Sequence, residues 1–301
     1  MKNLILFISI SLFIFSCDKV TNPYEHIDAV VVDSCDAVFN DTTYADSSVN
    51  IKRILIEDFT GHKCPNCPAG TDIANVVVAK YPNTVLIAAI HNSGSFSEPD
   101  PEDGFPANYE TVAGEKFMIK FKLGSFPNGL LNRKDFSGGT AISPAVGILQ
   151  WESTIDNLMG DNTYMTPTFE MKVMSTYNVN CRIVTVYPKI KTLSAQPGDY
   201  NVVVYILESK IISPQEDNRV NPPVIQDYEH NHMLRAAFPQ DGDGKTIFSN
   251  PSADEDFIET EGIKYVLPES WVVENCELLV LITSIDTDEI VHIEELHLME
   301  E

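Results

Sequence analysis

Two cysteines three residues apart are the part of this sequence best suited to chemistry. Cys64 and Cys67 lie in Thr60-Gly-His-Lys-Cys-Pro-Asn-Cys-Pro68, between a run that predicts a strand and one that predicts a helix. A helix N-terminus offers unpaired N–H groups and a partial positive charge, and both favour a thiolate. We therefore predict that Cys64 is the nucleophile and that Cys67, one helical turn later, resolves a mixed disulfide formed at Cys64.

The flanking segments predict how the cysteines are positioned. Residues 51–59 predict a buried strand, and the helix after the cysteines ends at Pro82-Asn83. Residues 84–90 are continuously apolar, as in a parallel strand covered on both faces. These segments form a βαβ unit, followed by a polar insertion near the site at 91–106 and a closing helix at 143–159.

A proline further along the chain supports a specific resemblance. The order of strand, Cys-x-x-Cys, helix, strand and helix, then Phe126-Pro127 before a short apolar strand, resembles thioredoxin. In that family the proline is cis and lies against the cysteine pair. The resemblance implies that Pro127 completes the redox site and that Phe126 helps to bind substrate beside Cys64.

The sequence also departs from thioredoxins. Lys63 stands where that family usually carries tryptophan, and Pro65-Asn66 separates the cysteines in place of Gly-Pro. The redox potential therefore does not transfer from the family. Glu57 and Asp58 are the nearest candidates for a buried proton acceptor, but we interpret both as solvated residues at the end of a strand.

The N-terminus predicts an export signal. An apolar run from Leu4 ends in Ile14-Phe-Ser-Cys17, which resembles the lipobox of a bacterial lipoprotein. The run is short for a membrane span, which needs about 20 residues. We predict a signal peptide at residues 1–16, a polar tether at 17–50, and an acylated Cys17 that anchors the chain in a lipid bilayer within an oxidising compartment.

Charge and the remaining cysteines limit the partners. The formal net charge of −24 becomes −25 once residues 1–16 are removed, because they contain only Lys2 as a charged residue. Nucleic acid is therefore an unsuitable partner. Cys181 and Cys276 are either a structural bridge or two buried free thiols, which leaves Cys35 as the odd cysteine.

The second half of the chain has a different pattern. After residue 163 the sequence contains many short β-rich runs separated by turns, which is typical of an antiparallel sandwich. We predict an α/β thioredoxin-like domain at 51–162, followed by an all-β antiparallel sandwich-like (immunoglobulin-like) domain at 163–301.

Three stretches together resemble one family. The lipobox, Glu57-Asp-Phe-Thr-Gly61 before the cysteine pair, and Tyr228-Glu-His-Asn-His-Met-Leu-Arg235 are similar to the outer membrane protein twenty-eight family of Bacteroidetes. The resemblance implies an outer-membrane lipoprotein of the cell envelope that carries a thioredoxin-like domain. It does not decide between a periplasmic and a surface-exposed location.

Three functions remain open. The favoured one is thiol–disulfide exchange on exported proteins through Cys64 and Cys67, without a cofactor. The second is a surface-binding or adhesion lipoprotein in which the cysteine pair is a structural disulfide. The third is metal binding at the cysteine pair with His62 and His91, although we assign no residue as a metal ligand.

Overall fold

The computed structural model describes residues 41–45 and 50–299, which belong to one compact unit. The predicted signal peptide, Cys17, Cys35 and most of the predicted tether lie outside the described residues. Among the helices that are described, none combines the length and the apolar character that a membrane span requires.

The described chain contains strands and helices in the following order: β1 (Asp41–Ala45), β2 (Ile54–Phe59), α1 (Cys67–Lys80), β3 (Val85–Ile90), α2 (Val112–Lys120), β4 (Asn128–Leu131), β5 (Val146–Gly147), α3 (Trp151–Gly160), α4 (Asn162–Met165), β6 (Phe169–Asn178), β7 (Ile183–Thr192), β8 (Asp199–Glu208), β9 (Ile211–Glu216), β10 (Val224–His230), β11 (Met233–Phe238), β12 (Lys245–Ser249), β13 (Asp256–Ile258), β14 (Ile263–Val266), β15 (Cys276–Ser284) and β16 (Ile290–His297).

The N-terminal part is mixed α/β. Strands β2 and β3 pair in parallel through the crossover helix α1, and β4 pairs antiparallel with the other side of β2. Every residue of β2 is buried, because helices cover both faces of this part of the sheet. Ile54 and Ile56 pack in one apolar cluster with residues of α1 and α3, whereas Leu55 and Phe59 pack in another with residues of α2.

The closing helix begins later than its sequence predicts. Strand β5 occupies Val146–Gly147, and α3 starts only at Trp151. The indole N–H of Trp151 donates to the carbonyl oxygen of Val146 at 2.8 Å, and the ring is completely buried. The predicted helix start at Ser143-Pro144 is therefore wrong, because this stretch leads into an edge strand that the tryptophan fixes in place.

A single sheet connects the two halves of the chain. Its order is β16-β15-β8-β11-β3-β2-β4-β5, with β12 also on β8. The junction is the parallel contact of β11 with β3, where the Ala89 amide donates to the His232 carbonyl oxygen at 2.8 Å. The segments predicted as separate domains, 51–162 and 163–301, are joined there by strand pairing.

The C-terminal part consists mainly of antiparallel strands. A five-stranded sheet has the order β1-β6-β7-β13, and β14 also pairs with β7. An apolar cluster contains residues of this sheet, such as Phe169 and Val186, together with Val204 and Val280 from the nine-stranded sheet. Strands β9 and β10 form a separate two-stranded sheet, which we call the 211–230 hairpin.

The cysteines of this part contradict both predicted arrangements. Cys181 is disulfide-bonded and lies in the turn between β6 and β7, whereas Cys276 is a free thiol at the start of β15 in the other sheet. The two cysteines are therefore neither bonded to each other nor both free. Burial raises the pKa of the Cys276 thiol to about 12, so it is protonated and inert at neutral pH.

Candidate redox site

The predicted cysteine pair is a disulfide where a loop meets a helix. Cys64 and Cys67 are bonded, and their Cα atoms are 5.4 Å apart. Helix α1 begins at Cys67, and the Cys67 amide donates to the Cys64 carbonyl oxygen at 3.1 Å. Each cysteine is only 1% exposed. The disulfide stands at the predicted strand-to-helix junction, but the surrounding protein covers both sulfurs.

The segment at 91–106 lies against the loop that carries the cysteines. The Lys63 amide donates to the Phe96 carbonyl oxygen at 2.9 Å. A Cβ atom on Gly61 would lie 2.4 Å from the Ser93 hydroxyl oxygen and 2.5 Å from the Phe96 carbonyl oxygen. Only glycine therefore allows these two loops to approach so closely.

The predicted proline lies beside the same helix. The Phe126–Pro127 peptide bond is cis. Pro127 packs on the start of α1, where its Cβ lies 3.2 Å from the position that a Cβ of Gly70 would occupy. Phe126 is partly buried and packs on the cluster around α2. The structure therefore brings Pro127 to the first turns of the helix that Cys67 opens.

Both acidic residues at the end of β2 are buried, so the interpretation of them as solvated is wrong. Adjacent strand residues face opposite sides of a sheet. Glu57 accepts two hydrogen bonds from Arg133, each at 2.9 Å, and one from the Tyr205 hydroxyl at 2.8 Å. This pairing compensates the buried charge of Glu57.

Asp58 faces the other side of the sheet, into a cavity of about 100 Å³. Residues of α1, which we call the redox helix, also line this cavity. The lining includes Asp58, Pro68 and Thr71 from the α/β part and Tyr228 and His230 from the 211–230 hairpin. One Asp58 carboxyl oxygen, Oδ1, has no hydrogen-bond partner in the described protein. Burial raises the pKa of Asp58 from 3.8 to about 7, so its carboxyl group can hold or release a proton near neutral pH.

Three buried histidines surround Tyr109 next to this cavity. The His91 ring lies 5.3 Å from that of His230 and 6.4 Å from that of His62, measured between centroids. Burial lowers the pKa of His62 and of His230 to about 4, and that of His91 well below its usual value, so all three are neutral at pH 7. Both ring nitrogens of His62 lack partners among the described atoms.

The 211–230 hairpin covers residues 60–66, the loop between β2 and α1 that carries Cys64, which we call the redox loop. The Glu216 amide donates to the His62 carbonyl oxygen at 2.8 Å, and the Asn218 amide donates to the Pro65 carbonyl oxygen at 3.0 Å. The Gln215 side chain donates to the Cys64 carbonyl oxygen at 3.2 Å. The hairpin therefore packs directly against the backbone of the loop that carries Cys64.

The sequence did not identify this cover. The stretch that begins at Tyr228 carries a family resemblance, but Gln215 and Asn218 belong to no recognisable motif. His230 was visible only as one of two histidines in that stretch. It joins the buried cluster, whereas His232 is hydrogen-bonded to Glu277.

Comparison with known proteins gives a family and a similar fold. The family model of outer membrane protein Omp28 matches residues 115–298. HBP35 of Porphyromonas gingivalis is similar in structure, with a TM-score of 0.62 and 16% identity over 84% of this chain and 77% of that chain. A domain of the outer membrane lipoprotein Omp28 from Porphyromonas gingivalis gives a TM-score of 0.29 and 16% identity over 44% of this chain and 89% of that one. No curated protein matches the sequence.

Proposed function

Because this chain belongs to the Omp28 family of outer membrane proteins, we propose that it is an envelope lipoprotein that exchanges disulfides with exported proteins. The family places the chain at the outer membrane, and its lipid anchor, through acylation at Cys17, remains a prediction. We infer a thioredoxin-like arrangement for 51–162, which the parallel β2-α1-β3 unit, antiparallel β4 and Pro127 support. The immunoglobulin-like character of 163–301 remains a prediction.

One observation carries the exchange proposal. The Cys64–Cys67 disulfide opens helix α1, and an acid with a pKa near 7 occupies the cavity behind that helix. A resolving cysteine must lose its proton before it can attack and must regain it when it leaves. A carboxyl group that titrates near neutral pH is suited to both transfers, and we assign this role to Asp58, because the cavity that it lines is also lined by Pro68, the residue after Cys67.

In the proposed reaction the chain oxidises two thiols of an exported protein to a disulfide. A thiolate of an exported dithiol protein attacks the Cys64 sulfur, the Cys64–Cys67 bond breaks, and Cys67 takes a proton from Asp58. The second substrate thiolate attacks the substrate sulfur of the mixed disulfide, and Cys64 leaves as a thiolate. The substrate gains a disulfide, and this chain gains two electrons. After this reaction, a partner disulfide in the envelope takes up the two electrons and re-forms the Cys64–Cys67 bond. The reduced chain can instead reduce a protein disulfide by the same steps in reverse, and a partner dithiol then restores the two thiols.

The test is an exchange assay on the full chain. Wild type should reactivate scrambled ribonuclease or reduce insulin when a glutathione buffer is present, whereas Cys64→Ser should be inactive. Cys276→Ala is the matched control, because it removes a buried thiol outside the site and should keep the activity. Equal activity of wild type and Cys64→Ser would refute the proposal.

A second candidate follows from the burial of the sulfurs. With both cysteines 1% exposed, the disulfide is placed as a structural bond would be, and the chain would then be a surface-binding or adhesion lipoprotein. In that case Cys64→Ser would lower stability but wild type would show no exchange. Metal binding at the pair requires two thiolates, whereas the sulfurs are bonded to each other here.

A further inference from the structure

We propose that the 211–230 hairpin is a lid that occupies the peptide-binding face of the redox loop and must open before a partner protein reaches Cys64. This inference rests on the proposed exchange function and adds its regulation. It also assigns the surface that a substrate uses. Residues 216–219, which we call the hairpin tip, bind that surface as an extended peptide would.

The tip is bound to the redox loop as a strand would be. The amides of Glu216 and Asn218, two residues apart, donate to the carbonyl oxygens of His62 and Pro65. Amide donation from alternate residues is how an extended peptide adds to an exposed backbone edge. The carbonyl groups of His62 and Pro65 would therefore accept the same bonds from a substrate once the tip has left.

The hairpin is held by polar contacts and by the His230 ring, which packs against the rings of His91 and Tyr109. None of the apolar clusters in the described protein contains a residue of 211–230. The buried residues of the hairpin are Gln215, Asp217 and His230. Arg219 is ion-paired with Asp72 in α1 at 2.6 Å, and both side chains are largely exposed. A segment with few buried apolar contacts and solvent-exposed hydrogen bonds opens more readily than the core.

Both ends of the hairpin have a left-handed backbone conformation. Lys210 and His232 flank the two strands, and their φ values are 60° and 53°. Residues other than glycine adopt this left-handed conformation uncommonly. Beyond these two positions, β8 and β11 are anchored side by side in the nine-stranded sheet. The hairpin can therefore swing about two adjacent points without disturbing strand pairing.

The test measures how fast a small reductant reaches the disulfide. Dithiothreitol attacks the Cys64 sulfur, releases Cys67 as a thiol, and then closes to its cyclic disulfide while Cys64 is released. The second-order rate of loss of the Cys64–Cys67 bond is followed by acid quenching, alkylation and peptide mass spectrometry. This readout does not require the chain to act on any protein substrate.

Two variants open the lid and one serves as control. Asn218→Ala/Arg219→Ala removes the tip side chains that contact Asn66 and Asp72, and we expect about a tenfold faster reduction. Replacement of 211–230 by Gly-Gly removes the cover, and we expect an increase of about a hundredfold. Lys80→Ala breaks an exposed ion pair at the other end of α1 and should leave the rate unchanged.

The outcomes separate the two proposals. Reduction at the wild-type rate in both lid variants refutes the lid, whatever the exchange activity. An equal acceleration in Lys80→Ala also refutes it, because the effect would then be general loosening of α1. Faster reduction in the two lid variants alone supports the lid, and this result holds even if wild type fails to exchange disulfides and the proposed function falls.

Discussion

Replacing Asp58 with asparagine should stabilise the protein at alkaline pH. The carboxyl group is 1% exposed, and its Oδ1 has no partner in the described structure. Burial raises its pKa from 3.8 to about 7. Asp58→Asn keeps the size and shape of the side chain but removes the charge. The variant therefore removes the cost of ionising a buried group while preserving the packing behind the redox helix.

The sign and the size of this stabilisation follow from the linkage between proton binding and folding. A group whose folded pKa is raised contributes stability that is complete below its unfolded pKa and is lost as the pH rises through the folded value. Each unit of pKa difference corresponds to about 1.4 kcal/mol. Asp58 has its usual pKa of 3.8 in the unfolded chain and a pKa of about 7 in the folded one. Wild type therefore loses about 4 kcal/mol of its free energy of unfolding by pH 8. Asp58→Asn escapes this loss, so its advantage grows from near zero at pH 4 toward that limit.

Urea unfolding at pH 4 and at pH 8 measures this difference. Asp156→Asn is the control, because Asp156 is an exposed carboxylate paired with Lys80 and lies outside the redox site. The control should leave the free energy of unfolding nearly unchanged at both pH values, because exposed ion pairs contribute little to stability. A stabilisation of Asp58→Asn that is the same at pH 4 and pH 8, or a loss of stability at pH 8, would show that Asp58 is not a buried acid with a raised pKa.

Three further predictions concern other buried groups. Arg133→Met leaves Glu57 without its cationic partner and should lower the free energy of unfolding in urea by about 3–5 kcal/mol. Adding Glu57→Gln should restore part of that free energy, and additive losses from the two substitutions would contradict this prediction. Because the pKa values of His62 and His230 are lowered to about 4, their contribution to stability is complete above pH 6.5 and is lost as the pH falls through 4. Thermal melts from pH 7 to 4 should therefore show a smaller loss for His230→Asn than for wild type. Iodoacetamide should label Cys276 only on unfolding, and rapid labelling of the native thiol would oppose its burial.

The βαβ unit was predictable because its signals are local. The parallel pairing of β2 with β3 and the start of α1 at Cys67 follow from apolar runs and a Cys-Pro turn within about forty residues. The place of Pro127 followed from the resemblance to thioredoxin, whose proline it matches in residue type and in order along the chain. The start of α3 did not, because the burial of Trp151 against β4 and β5 depends on packing that periodicity does not contain.

The separate roles of Glu57 and Asp58 were not predictable, because they depend on distant partners. The sequence shows two adjacent acids at the end of a strand, and both could be solvated. In the fold, Arg133 and Tyr205 arrive from positions 76 and 148 residues away. Both donate to Glu57, and the Arg133 guanidinium also donates to the Tyr205 hydroxyl oxygen. The pleat of β2 directs Asp58 to the opposite face. Which acid is neutralised and which acquires a raised pKa is therefore decided by tertiary pairing.

The lid and the acid are coupled through one cavity. Tyr228 and His230 belong to the 211–230 hairpin, and they line the space that Asp58 faces. Burial is the cause of the raised pKa of Asp58, so opening the hairpin would admit water and lower that pKa toward its usual value. A proton held by Asp58 in the closed state would then be released as the site becomes accessible. In the reduced chain, the motion that exposes Cys64 to a protein disulfide would thus convert Asp58 into the carboxylate that Cys67 needs as a base, which favours the direction in which this chain reduces its partner.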